Sequence, residues 1–145
     1  MAEARDTAAR FVQAFNAHDE GAIRDLNAPN TKFEAPGGVR LEGREAATSY
    51  AMSWLNSFPD AKMIVRNELV SGPWVIQEFT FEGTHTAPLN APTGTIPATG
   101  KKLVGKGVQI GRYENGQAIE VRLYYDQVDV LTQLGLMPKP AVAAV

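Results

Sequence analysis

Apolar side chains recur every three to four positions at Ala4, Ala8, Phe11, Val12 and Phe15. That period lays them on one face of a helix and predicts one from about Glu3 to Ala17. Asn16-Ala17-His18-Asp19 breaks it, Glu20 to Leu26 reads as a second, short helix, and Ala28-Pro29-Asn30 as a stop. A short strand is expected over Thr31 to Ala35, ended by Pro36-Gly37-Gly38. Helical spacing returns from Arg44 to Ser57, with Ala47, Tyr50, Ala51, Trp54 and Phe58 on one side and Pro59-Asp60 as the close. From Ala61 onward the period falls to two. Met63-Ile64-Val65, Trp74 to Glu82, Leu103 to Tyr113 and Ala118 to Tyr125 are rich in β-branched and aromatic residues and predict strands. Gly72-Pro73 and Glu114-Asn115-Gly116 supply turns between them. Between His85 and Gly100 stand three prolines and two glycines, which predicts a long loop of the kind that often covers a site. A final stripe, Val128, Leu131 and Leu134, predicts a last helix, and Pro138 to Val145 reads as a loose tail after a single domain spanning 1–137.

Helices followed by a run of strands make an α+β domain: N-terminal helices packed on one face of a curved antiparallel sheet. Such a sheet closed by helices forms a cone with an apolar hollow, the default place for a small-molecule ligand. Length and charge leave this reading in place. A chain of 145 residues makes one domain, and a formal charge of −2 without a basic block argues against nucleic acid and anionic membranes as partners. The opening Met1-Ala2-Glu3-Ala4-Arg5-Asp6 is too polar for a signal peptide and no long apolar run follows, so a cytoplasmic protein is expected. Cysteine is absent and only His18 and His85 are present, which leaves no pattern for a metal centre and none for a Cys nucleophile.

Candidate chemistry comes from strand parity. Alternation from Gln77 through Phe79, Phe81 and Gly83 places His85 on the aromatic face, either as a group that titrates near neutrality or as a buried histidine pinning the long loop. Asp126 reads as an acid or as the N-cap of the last helix, with Asp129 three residues on. Glu34 reads as a proton acceptor or as a solvated strand residue beside Lys32. Tyr50, Trp54 and Tyr125 belong to the core and, in a cone, to the pocket wall as well. No nucleophile–histidine–acid spacing is present.

The ordered segments Phe11-Val12-Gln13-Ala14-Phe15-Asn16, Gly83-Thr84-His85-Thr86, Glu114-Asn115-Gly116-Gln117-Ala118-Ile119 and Leu131-Thr132-Gln133-Leu134-Gly135 make the chain resemble the SnoaL-like polyketide cyclases, from about Thr7 to Gly135. That family shares the cone of nuclear transport factor 2 and ketosteroid isomerase. The resemblance implies aldol ring closure of a polyketide without metal or cofactor, driven by an Asp on the last strand helped by His and Gln on the strand before. Those positions fall on Leu123, Gln109 and Gly107. The isomerase branch uses a helix Tyr and an Asp before Pro, which here are Phe11 and Ala35. The resemblance also implies a homodimer formed through the convex sheet face that carries Ile76 and Thr80.

Two functions follow. One is a cofactor-free cyclase or related acid/base enzyme acting on an apolar, carbonyl-rich molecule, with His85, Gln109, Asp126 and Glu34 as chemical groups. Tyr50, Trp54, Gln77, Phe79, Phe81, Leu123 and Tyr125 would then form the substrate wall. The other is a non-catalytic small-molecule-binding or scaffolding protein that keeps the cone with apolar side chains at the family's catalytic positions.

Overall fold

The structure is a computed structural model that describes residues 2–91 and 94–137. The tail expected over 138–145 lies outside the described residues. Helix α1, Ala2–Asn16, buries Ala4, Ala8 and Phe15, the stripe read from the sequence. Its last residue clasps a distant strand: Asn16 Nδ2 donates to the Met63 carbonyl at 2.9 Å and Asn16 Oδ1 accepts from Met63 N–H at 2.7 Å. Asp19 caps α2, Glu20–Leu26, by accepting from Ala22 N–H. Strands β1, Asn27–Ala35, and β2, Val39–Glu42, precede helix α3, Arg44–Ser57. The rest is β3, Lys62–Ser71, β4, Trp74–Thr84, the short pair β5, Leu89–Ala91, and β6, Gly94–Ile96, then β7, Lys102–Glu114, β8, Gln117–Tyr125, and α4, Gln127–Gln133.

The main sheet runs β2-β1-β8-β7-β4-β3 and is antiparallel at every step but one. β1 and β8 lie parallel, which corrects the wholly antiparallel expectation. Four other departures have local causes. β1 begins at Asn27, not Thr31, because an irregularity between Asn27 and Lys32 carries Pro29 and Asn30 outward without ending the strand. β2 was not expected: it is only four residues long and follows a turn that needs positive φ at Gly37 (89°) and Gly38 (76°). β3 runs to Ser71, well past Val65, because a bulge between Val65 and Asn67 resets which residues face inward. The segment expected to be all loop holds the β5–β6 hairpin.

Sidedness along β4 and β7 is strict. Val75, Gln77, Phe79, Phe81 and Gly83 face inward opposite Gly111, Gln109, Gly107, Gly105 and Leu103. The inward glycines make room for rings. A Cβ on Gly107 would stand 2.6 Å from Phe79 Cζ, and one on Gly111 would stand 2.5 Å from the Tyr113 hydroxyl. Helix α3 lays Ala51, Leu55 and Phe58 into the same core. Helix α4 covers the stretch of β7 beyond the end of β8. There Gln133 serves Val104 as a strand neighbour would, accepting from its N–H at 2.9 Å and donating to its carbonyl at 2.9 Å.

Gly107→Ala is expected to overpack this face, since Phe79 is held on the other side by the core. The loss should be about 1–3 kcal/mol, read as a fall of several degrees in the thermal midpoint by calorimetry.

Candidate functional site

Inside the cone the aromatic side chains leave three small chambers. The inner one, about 80 Å³, is walled by Phe15 from α1, Trp54 from α3, Met63, Phe79 and Phe81 from β3 and β4, and Leu103, Gly105 and Gln109 from β7. Lys106, Leu123, Tyr125 and Val130 close it. A second, about 160 Å³, opens between the turn at Pro36 and Gly37, the β5–β6 hairpin at Leu89 and Ile96, and α4 at Leu131 and Leu134. Trp54, Tyr125 and Val130 wall both and so divide them. Trp54 meets Tyr125 edge to face at 5.6 Å and 88°, and it stacks on Phe58 at 5.8 Å. A third chamber, about 50 Å³, lies behind Tyr50 and Gln109, against Phe11 and Tyr113.

The polar groups of these walls are few. Gln109 Nε2 donates to Gln77 Oε1 at 3.0 Å, and Gln77 Nε2 donates to Glu68 Oε2 at 3.0 Å. Arg5 of α1 reaches the other oxygen of Glu68 at 3.5 Å. Burial disfavours the phenolate and pushes the Tyr50 phenol far above its usual range, and for the same chief reason the Tyr125 phenol is raised as well. They are donors at neutral pH and not bases. No carboxylate and no histidine is among the described residues walling the three chambers. Among the described residues, no group of three or more His, Cys, Asp or Glu comes together to hold a metal ion.

Of the four candidate chemical groups, the structure brings Gln109 alone to the chambers. His85 is fully buried, stacked on Phe58 at 5.2 Å, with Nδ1 facing the Thr99 hydroxyl at 3.0 Å and accepting from Thr99 N–H at 3.2 Å. An accepting Nδ1 places the ring proton on Nε2, which makes no hydrogen bond of ordinary geometry among the described residues. His85 N–H donates to the Lys101 carbonyl, and Gly100 N–H donates to the His85 carbonyl, so this residue ties down both ends of the long connection. Asp126 is the N-cap of α4, accepting from Asp129 N–H at 3.1 Å, and it lies on the outer side of the sheet. Glu34 also faces outward, 3.7 Å from Arg40, because regular pairing of β1 with β2 and β8 keeps its parity opposite that of Phe33. Gln77 stands one layer behind the wall, holding Gln109. Tyr50, Trp54, Phe79, Phe81, Leu123 and Tyr125 all line a chamber. Sequence reasoning did not select Met63 or Leu103, whose apolar parity was visible, nor Glu68, whose parity the β3 bulge conceals, nor Val130, which α4 buries in place of the expected Val128, itself 53% exposed.

The model of the SnoaL-like polyketide cyclases matches residues 6–134. The chain belongs to the SnoaL-like polyketide cyclase family. Solved structures agree on the fold. A protein of Jannaschia sp. CCS1 assigned provisionally to the SnoaL-like cyclases is 22% identical over 94% of each chain, with a TM-score of 0.82. IdmH of Streptomyces antibioticus, provisionally a polyketide cyclase, is 26% identical over 91% of this chain and 98% of its own, at 0.76. An LEH-like epoxide hydrolase of M. tuberculosis is 15% identical over 92% and 90%, at 0.72. No curated protein matches the sequence significantly. Membership makes an enzyme plausible without choosing a reaction, since SnoaL-like cones carry several names.

Burial holds the His85 imidazolium pKa below its ordinary 6.5, with the Ala87 carbonyl opposing more weakly. The unfolded chain then binds the proton more readily than the folded one, so stability rises with pH and is lost as pH falls below that ordinary value. Wild type should lose more of its thermal midpoint between pH about 7.5 and about 5.5 than His85→Gln does, measured by scanning fluorimetry.

Proposed function

We propose that this SnoaL-like chain is a cofactor-independent cyclase-type enzyme that folds an apolar, carbonyl-rich molecule and closes its ring through neutral hydrogen-bond donors and acceptors. One observation carries the reading: Tyr50, Trp54, Gln109 and Tyr125 converge where the chambers meet, and among the described residues no carboxylate or histidine joins them, the one charged side chain on the walls being the exposed Lys106 of β7. Each chamber is below the roughly 300–1,000 Å³ of ordinary ligand sites. A polycyclic occupant therefore spans both larger chambers, with Trp54 and Tyr125 turned aside.

A chamber whose described walls hold no carboxylate and no histidine suits a substrate that brings its own nucleophile. The enol of a β-dicarbonyl attacks an electrophilic carbonyl through carbon, a C–C bond forms, and the enol proton ends on the new alkoxide. No external base enters that balance. Tyr125 and Tyr50 hold the electrophilic oxygen, a kind of contact worth about 10²–10³ in rate per donor. The walls supply proximity by confining the chain to a folded shape.

With a β-polyketone ester as probe, Tyr125→Phe is expected to slow cyclisation by about 10²-fold, and Gln109→Ala to slow it too, both with the fold intact by circular dichroism. Turnover unchanged in both variants overturns the reading. Leu123 favours a second one, a binding protein, because it puts an apolar side chain at the family's acid position. Recovery of tightly held, unaltered ligand from wild type, with cyclisation gained only by Leu123→Asp, would establish that alternative.

We also propose pairing of two copies through the outer sheet face. Tyr124 and Val104 there are 52% and 42% exposed, among Arg66, Lys106, Glu78 and Glu82. Sedimentation velocity should show a dimer for wild type and a monomer for Tyr124→Glu. A wild-type monomer at micromolar concentration would refute the pairing.

A further inference from the structure

Glu68, Gln77 and Gln109 are successive cross-strand neighbours on β3, β4 and β7, and Leu123 on β8 is next in the same row. The row has a direction. A carboxylate accepts and cannot donate, so Gln77 must turn its NH₂ to Glu68, which leaves Gln77 Oε1 to accept from Gln109 Nε2. The orientation of an amide is ordinarily ambiguous, but here the charged end removes the ambiguity. Arg5 pairs with that carboxylate at 3.5 Å and helps to keep it in place. No other hydrogen bond ties the Gln109 amide among the described residues, and Leu123 offers it none.

We propose that Glu68 is a positioning residue for the chamber: through Gln77 it turns Gln109 Nε2 away toward β4 and so presents the Gln109 carbonyl oxygen to the ligand as an acceptor for a hydroxyl or enol proton. This rests on the carbonyl-binding reading above and narrows its substrate class to molecules that enter as enols or phenols. Gln109 then holds the nucleophilic enol O–H, while the tyrosines hold the electrophile. Binding itself moves no proton; when the C–C bond forms, the enol proton passes from its hydrogen bond with Gln109 to the new alkoxide, so the contact orients the enol and does not ionise it.

The size of the inner chamber selects single-ring probes, phenol as donor and benzaldehyde as acceptor of similar shape. The chain has two tryptophans, and only Trp54 lines a chamber, so 5-fluorotryptophan resonances report occupancy directly, with Trp74 as internal control. Wild type should bind phenol about five- to tenfold more tightly than benzaldehyde, the fold-change of one ordinary hydrogen bond. The charge-swapped Arg5→Glu/Glu68→Lys protein puts a pure donor at the head of the row, reverses both amides, and should invert the preference. Loss of fold alone weakens both probes and cannot invert their order. If the swapped protein does not fold, Glu68→Gln, which can present either end, should bring the ratio to about one. An unchanged phenol preference in the Glu68 variants, or a wild type that prefers benzaldehyde, overturns the positioning role. If Gln109→Ala abolishes the preference while the Glu68 variants keep it, the pocket reading survives and this inference falls. If neither probe shifts the Trp54 resonance of wild type, both fall together.

Discussion

Phe79 occupies the space that a side chain at position 107 would fill, and Tyr113 does the same at position 111. That nesting of rings over inward glycines is the constraint on which the interior depends. It lets β4 and β7 stay paired over eleven registers while the concave face carries large aromatics. It also decides how much room is left. With Phe79 and Phe81 seated and Trp54 packed against Phe58, Phe81 and Tyr125, the cone is partitioned and not open. The walls are stiff in the sense that matters for recognition, because each ring is held by at least one other ring or by backbone. What the cavity can bind is therefore set less by its total volume than by which of those contacts can part. The Trp54–Tyr125 edge is the contact that separates the two larger chambers.

Much of this architecture was legible from period alone. The stripes of α1 and α3 and the alternation in β4 and β7 are strong because one face of each is buried and the pattern runs long and unbroken. Asn115-Gly116 marked its hairpin because both residues there take positive φ, 53° and 73°. Legibility stopped where tertiary pairing overrode local signals. Pro29 looked like a terminator but sits on an irregular, outward stretch of β1 whose parallel partner lies about ninety residues away in sequence. The strand expected over Met63-Ile64-Val65 continues through polar Arg66, Asn67 and Glu68, where a bulge turns Glu68 inward to the amide row.

The candidate site divides along the same line. Residues chosen by strand parity, such as Phe79 and Phe81, face the interior, as does Gln109, to which the family resemblance pointed, because parity survives wherever pairing is regular. Residues chosen for their chemistry were claimed by structure first. Asp126 satisfies a helix terminus, Glu34 faces an exposed arginine, and His85 fastens the ends of the long connection. An ionisable side chain is as useful to a fold as to a reaction, and sequence alone does not show which use prevails.

Leu123 completes the argument about charge. It pairs with Gln109 on the inner face, so a carboxylate at that position would lie in an almost wholly apolar chamber whose polar side chains are Gln109, Tyr125 and the exposed Lys106. Unpaired burial of that kind costs several kcal/mol or forces the acid to stay protonated. The row keeps a carboxylate, but at its opposite end, where Glu68 is partly solvated and paired with Arg5. Two amides separate that charge from the chamber, so the interior receives the direction of the carboxylate's hydrogen bonds without its ion. An interior organised in this way favours neutral, hydrogen-bonding ligands and penalises anions. That is the selectivity expected of a pocket that folds a reactive carbonyl compound and leaves its protons where the substrate already carries them.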